Sequence, residues 1–251
     1  TFTFAGTEFG TAGLINGDSV IAATLDSTGA VDTANVVGSP YAITISDATG
    51  SGLGNYTIGY TSGNLTVNPR DITVTALGGT STYGASPANP GLAASNLASF
   101  DDTGDLTGLS NSFGIDSSST VTDYTLTVAG TLSNGNYNVT TTNPGTWNVT
   151  RKTLSVTADN QSKTYGDTFT FAGTEFGTAG LINGDTVTAA TLGSTGAVNT
   201  ANVSGSPYAI TISDATGSGL GNYTIAYTGG NLTVNPRDIT VTALGGTSIY
   251  G

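Results

Sequence analysis

Residues Thr1 to Gly84 return as Thr168 to Gly251, a shift of 167 positions, and 76 of the 84 aligned positions are identical. The eight changes are Ser19/Thr186, Ile21/Thr188, Asp26/Gly193, Asp32/Asn199, Val37/Ser204, Gly59/Ala226, Ser62/Gly229 and Thr82/Ile249. A fixed period of this kind limits a chain to stacked or tandem modules, each too small to hold a large core of its own. The 251 residues span about one and a half periods, so they are expected to be a window on a longer array.

A weaker repeat lies inside the strong one. Arg70-Asp71-Ile72-Thr73-Val74-Thr75-Ala76, Arg151-Lys152-Thr153-Leu154-Ser155-Val156-Thr157-Ala158 and Arg237-Asp238-Ile239-Thr240-Val241-Thr242-Ala243 open alike. Each runs on to a Tyr-Gly pair, at 83–84, 165–166 and 250–251. An Asn-Tyr pair precedes each Arg, and Asn55, Asn136 and Asn222 each stand 15 residues before it. The array therefore reads A-B-A-B. Residues 1–69 are an A module lacking its first strand, 70–150 a complete B module, 151–236 a complete A module, and 237–251 the first strand of a further B.

Local patterning is β throughout. Thr73 and Thr75 alternate with Ile72, Val74 and Ala76, the pattern of a half-buried strand. Tyr56–Tyr60 and Leu65–Val67 flank Thr61-Ser62-Gly63-Asn64, which predicts a hairpin, repeated at Tyr223–Val234 and Tyr137–Val149. Tyr41–Ile45 predicts a further strand, and the Gly-rich stretch Asp47–Gly54 predicts a loop. Pro69 and Pro236 stiffen the A-to-B seams. The expected fold class is all-β: small modules, sandwich-like or β-grasp-like, set end to end as an elongated rod.

Composition narrows the function. Net charge is -12, which removes the basic footprint of a nucleic-acid binder and opposes binding to anionic membranes. No apolar run is long enough to span a bilayer. The chain has no His and no Cys, so imidazole-based triads, thiol nucleophiles, disulfides and imidazole- or thiolate-bound metals are ruled out. The chain is not expected to be an enzyme, and no cofactor is expected.

Two residue sets merit attention. Asp101, Asp102 and Asp105 crowd one Gly-containing turn, where hard oxygen donors could hold calcium, although the spacing is not that of an EF-hand; the plainer expectation is a solvated acidic turn. Arg70, Arg151 and Arg237 stand at the three module starts. They are candidate seam contacts, pairing with an Asp of the neighbouring module or capping its loop carbonyls. The tyrosines at 56, 137 and 223 share one module position and are expected in the core, with their hydroxyls at the edge. Asn16-Gly17-Asp18 and Asn183-Gly184-Asp185 read as turns.

The text from Leu154 to Asp167, followed by Gly180–Asp185, Gly221–Ile225 and Gly229–Pro236, resembles the MBG ("mostly β, Gly-rich") domain, also described as a YDG-type repeat. The B module matches at both ends but lacks an Asn-Gly-Asp. The resemblance implies a tandem module of large exported bacterial surface proteins and implies no reaction. The expected function is a structural segment of an extracellular stalk, filament or adhesin at the bacterial cell surface. The alternative is a glycan- or surface-binding module repeated along an adhesin. Expected partners are neighbouring modules, other copies in a polymer, and a glycan or surface ligand.

Overall fold

The computed structural model describes residues 1–251 and is all-β, with several small sheets and only single-turn 3-10 helices between strands. No α-helix forms that could lie across a sheet as a β-grasp requires, which leaves pairs of small sheets. Two compact units are present. One comprises Thr1–Gly78, Pro90–Phe113 and Thr125–Gly145; the other comprises Gly79–Asn89, Gly114–Tyr124 and Thr146–Gly251. Residues 70–150 thus contribute strands to both.

The complete A module shows the plan, and lies wholly in the second unit. Strand Lys152–Ala158 sits between Phe176–Ala179, antiparallel, and Tyr223–Thr228, parallel. A four-stranded sheet follows in the order Gln161–Thr164, Gly230–Asn235, Tyr208–Ser218, Thr186–Gly193. Lys152 pairs with Tyr223 and Thr164 with Asn235, so partners stay 71 residues apart in both sheets. The first strand and the last therefore run together, in parallel, from one sheet into the next. Leu154 and Val156 are fully buried, as are Leu232 and Ile210. Burying a side chain of this size contributes about 1.5–3 kcal/mol relative to exposure.

This corrects the expected hairpin. Tyr223–Thr228 and Gly230–Asn235 belong to different sheets and do not pair with each other. Only Gly229 separates them, and the constant register with the first strand requires the chain to run on, kinked, rather than reverse. Tyr137–Asn143 and Gly145–Thr150 repeat the arrangement around Pro144. Local turn residues resemble those of a hairpin; the distant first strand decides otherwise.

The Gly-rich stretch is also corrected. Tyr41–Ser51 and Tyr208–Ser218 are single strands that include most of it. Asp47 and Asp214 take φ of 50° and 51°, and the ladders to Ser19–Asp26 and Thr186–Gly193 shift register near there. A Cβ at Gly217 would stand 1.9 Å from the carbonyl oxygen of Thr186, and one at Gly50 would stand 1.8 Å from that of Ser19. Glycine permits this close approach of two strands, so it need not mark a loop.

In the first unit, Arg70–Ala76 pairs in parallel with Tyr137–Asn143 and antiparallel with Leu92–Ser95. Ile72, Val74, Leu106 and Tyr137 form its buried cluster. The strand alternates as expected, with Ile72, Val74 and Ala76 turned inward. The same unit holds the three-stranded sheet Ser19–Asp26, Tyr41–Ser51, Gly63–Leu65. The other B sheet runs in the order Gly79–Thr82, Gly145–Thr150, Asp123–Leu126.

Candidate functional site

One hydrogen-bonded latch recurs in all three modules. In the second A module, Asn183 and Gly184 adopt left-handed φ of 55° and 79°, and the Asp185 amide donates to the Ile182 carbonyl at 3.0 Å. This is the expected turn, and it aims Asp185 inward. The Tyr223 hydroxyl accepts from the Ile182 amide at 3.0 Å and donates to the Asp185 carboxylate at 2.8 Å. Gly219 makes room: its φ is +71° and a Cβ there would lie 1.7 Å from Asp185 Oδ1. The first A copy repeats the device with Ile15, Asp18 and Tyr56 at 3.1 and 2.9 Å.

The B module makes the same latch from different text. The Asp101 amide donates to Ala98 O at 3.1 Å. The Ala98 amide donates to the Tyr137 hydroxyl at 3.0 Å, and that hydroxyl donates to the Asp101 carboxylate. Asp101 therefore replaces the aspartate of the missing Asn-Gly-Asp. Its neighbours serve their own turn: Asp102 accepts from the Gly104 amide at 2.6 Å, while Asp105 accepts from the Asp102 amide at 2.9 Å. Together these form a reciprocal cap on Thr103–Asp105. The three carboxylates expected as calcium donors point to three separate partners, and no three acidic side chains converge in an arrangement that could hold a metal ion. Asp102 is exposed, and Asp101 and Asp105 are half-buried.

Two of the three tyrosines lie in the core, as their position suggested, while Tyr56 is only half-buried. Tyr137 and Tyr223 are 6% and 4% exposed. Burial pushes the Tyr223 hydroxyl up to about 12, with the Asp185 carboxylate adding to the effect. Burial raises Tyr137 and Tyr83 too, and each faces a carboxylate that acts in the same direction.

The seams are built on these latches. Where residues 1–69 meet 70–150, the Val36 amide donates to Asn136 Oδ1 at 2.9 Å, and Asn136 Nδ2 donates to Asn35 Oδ1 at 2.7 Å. Where 70–150 meets 151–236, the Val121 amide donates to Asn222 Oδ1 at 3.0 Å. The asparagine of the Asn-Tyr pair thus plays one role at both seams. At the second seam the Tyr83 hydroxyl donates to Asp185 at 2.9 Å, and its ring meets that of Tyr223 edge to face at 5.5 Å. Asn183 Nδ2 adds a bond to Ser117 O at 2.7 Å.

The three arginines behave differently from one another. Arg70 Nη2 donates to Asn96 Oδ1 at 3.0 Å, and Arg151 Nε donates to the Gly221 carbonyl at 3.1 Å. Both partners lie inside the arginine's own module, so neither arginine bridges a seam. Arg237 does reach across residue 236: its Nε donates to the Tyr165 carbonyl at 2.7 Å, and its guanidinium pairs with Asp167. The seams are held instead by the asparagines and Tyr83. The only sequence signal was the constant 15-residue spacing of Asn55, Asn136 and Asn222 from the arginines, which shows a shared position without showing what it touches.

Residues 1–66 and 154–233 match the family model of the MBG domain, YGX type. The chain belongs to the MBG family. No curated protein and no solved structure matches it. The YGX description fits the Tyr-Gly pairs, which are followed by Ala85 in one module and Asp167 in the next. MBG domains occur in surface proteins. The tyrosine latches of both A copies and the Asn222 side of the seam contact lie within the matched residues.

Proposed function

We propose that residues 1–251 are a structural repeat segment of an extracellular bacterial stalk, filament or adhesin, acting through extension rather than catalysis. The observation that carries this reading is the repeated seam: Val36 to Asn136 and Val121 to Asn222 join successive modules by the same bond. A seam used twice can be used again, so each module adds length through nearest-neighbour contacts alone. The divided modules 1–69, 70–150, 151–236 and 237–251 are the units of that extension. The acidic balance of -12 supports the reading, since like-charged copies repel side by side.

Electron microscopy of the purified chain, beside a version with one further A-B pair, tests the proposal. Thin particles whose length grows with the added pair are expected. A compact particle whose diameter barely changes would refute it. Antibody labelling of intact source cells tests placement at the surface.

A further inference from the structure

The tyrosine latch fixes which residues of A and B are counterparts, whatever their identity. The Ile182 amide donates to the Tyr223 hydroxyl, and the Ile182 carbonyl accepts from the Asp185 amide. In the same way the Ala98 amide donates to the Tyr137 hydroxyl, and the Ala98 carbonyl accepts from the Asp101 amide. Ile182-Asn183-Gly184-Asp185 and Ala98-Ser99-Phe100-Asp101 therefore occupy one place in the module. Only the aspartate is common to both.

In the A module at 151–236, this turn is also what the preceding B module touches. Gly84, at φ +89°, lies under the Ile182 side chain: a Cβ at 84 would stand 2.1 Å from Ile182 Cδ1. Glycine is required there twice over, by its backbone angle and by the side chain resting on it. Asn183 Nδ2 donates to the Ser117 carbonyl at 2.7 Å. Tyr83, next to Gly84, donates to Asp185 and sets its ring against that of Tyr223.

These contacts fall into two classes. The latch aspartate and tyrosine have counterparts in B, and the Val121–Asn222 bond has its counterpart in Val36–Asn136. A B module standing after another B could offer all of them. It could not offer the other two. Ala98 has no side chain beyond Cβ to cover a glycine, and the Ser99 hydroxyl ends one atom short of the Asn183 amide nitrogen.

We propose that the seam after a B module is selective for an A module, and that Ile182 and Asn183 are the residues it selects. Gly84 is the socket for the first, and the Ser117 carbonyl receives the second. The proposal rests on the reading of 70–150 and 151–236 as successive units of an array, and adds a rule of order to it. A B module in the following position would be held by the shared contacts alone, so the seam favours alternation. Specificity here is a difference between two neighbours that share most of their contacts.

Amide exchange read residue by residue in the 251-residue chain provides the test. The Val121 amide, bonded across the seam to Asn222, reports seam opening. The amides of residues 182 and 185 report the latch within the A module. Ile182→Ala with Asn183→Ser gives the A module the residues of B and should speed Val121 exchange about tenfold or more. Ile182→Ala with Asn183→Asp should do the same and leave the two latch amides protected, because Asp tolerates the left-handed turn but has no donor for Ser117. If the latch amides follow Val121, a cycle of Gly84→Ala, Ile182→Val and the pair decides, read by tryptophan-monitored unfolding. Valine lacks Cδ1, so Gly84→Ala should shift the midpoint less in the Ile182→Val background; the backbone cost of φ +89° is common to both arms and cancels. Unchanged Val121 exchange in both double variants, or equal midpoint shifts in both backgrounds, would overturn the selectivity. Neither result would bear on extension itself, which is read from particle length.

Discussion

Asp185 receives two phenols on one carboxylate oxygen, from Tyr83 at 2.9 Å and Tyr223 at 2.8 Å. Hydrogen bonds to charged groups contribute about 1.5–3 kcal/mol each. Asp185 is half-buried, so the low end applies, and Asp185→Ala should cost about 3 kcal/mol. At a urea slope near 2 kcal/mol/M this is a midpoint shift of about 1.5 M. Trp147 is the only tryptophan and lies buried in the same unit, with its indole donating to Ser81. Its fluorescence therefore reports the unit that the substitution weakens. Asp185→Asn keeps an acceptor oxygen and should lose about half as much. Asp18→Ala removes the equivalent latch from the other unit and should leave the tryptophan transition in place. A shift below about 0.5 kcal/mol for Asp185→Ala, well under the value of one such bond, would refute the role of the shared carboxylate. An equal shift for Asp18→Ala would refute the division into separately reporting units.

High pH should weaken the second unit. Tyr223 is raised from 10.0 to about 12 by burial, so the fold favours the neutral phenol; its contribution is complete below pH 10 and is lost as pH rises toward about 12. Urea titrations across that window should show a shallower loss for Tyr223→Phe. Gly217→Ala would place a Cβ 1.9 Å from the Thr186 carbonyl and should cost about 2 kcal/mol or more, visible as lost amide-exchange protection in Thr186–Gly193 and Tyr208–Ser218. Arg237→Ala should cost under about 1 kcal/mol and lose even that effect in high salt, because the Arg237–Asp167 pair is half exposed. Leu154→Ala, at a fully buried position, should cost about 2–5 kcal/mol in the same tryptophan-monitored unfolding.

Alternation along Ile72-Thr73-Val74-Thr75-Ala76 was legible because a strand with one buried face must alternate. The turn at Asn183-Gly184 was legible because few residues tolerate its backbone angles. The latch was half legible. The shared tyrosine position pointed to the core, but the acceptor lies 38 residues away in the A copies and 36 in B. In B, the aspartate came from a cluster whose composition suggested a cation site. Charge drew attention to the arginines at the seams, whereas the bonds that join modules are made by neutral asparagines to backbone amides. Such bonds leave no compositional mark.

Period, β class and family membership follow from the sequence by itself, because each is a property of spacing and residue type along the chain. Pairing does not. Tyr223–Thr228 and Gly230–Asn235 read locally as the two arms of a hairpin, yet they lie in different sheets. Lys152–Ala158 and Gln161–Thr164, 71 residues back in the chain, take them as separate parallel partners. A strand's hydrogen bonds belong to residues far away in the chain, so only the tertiary structure decides whether the pattern written in the sequence finds something to pair with.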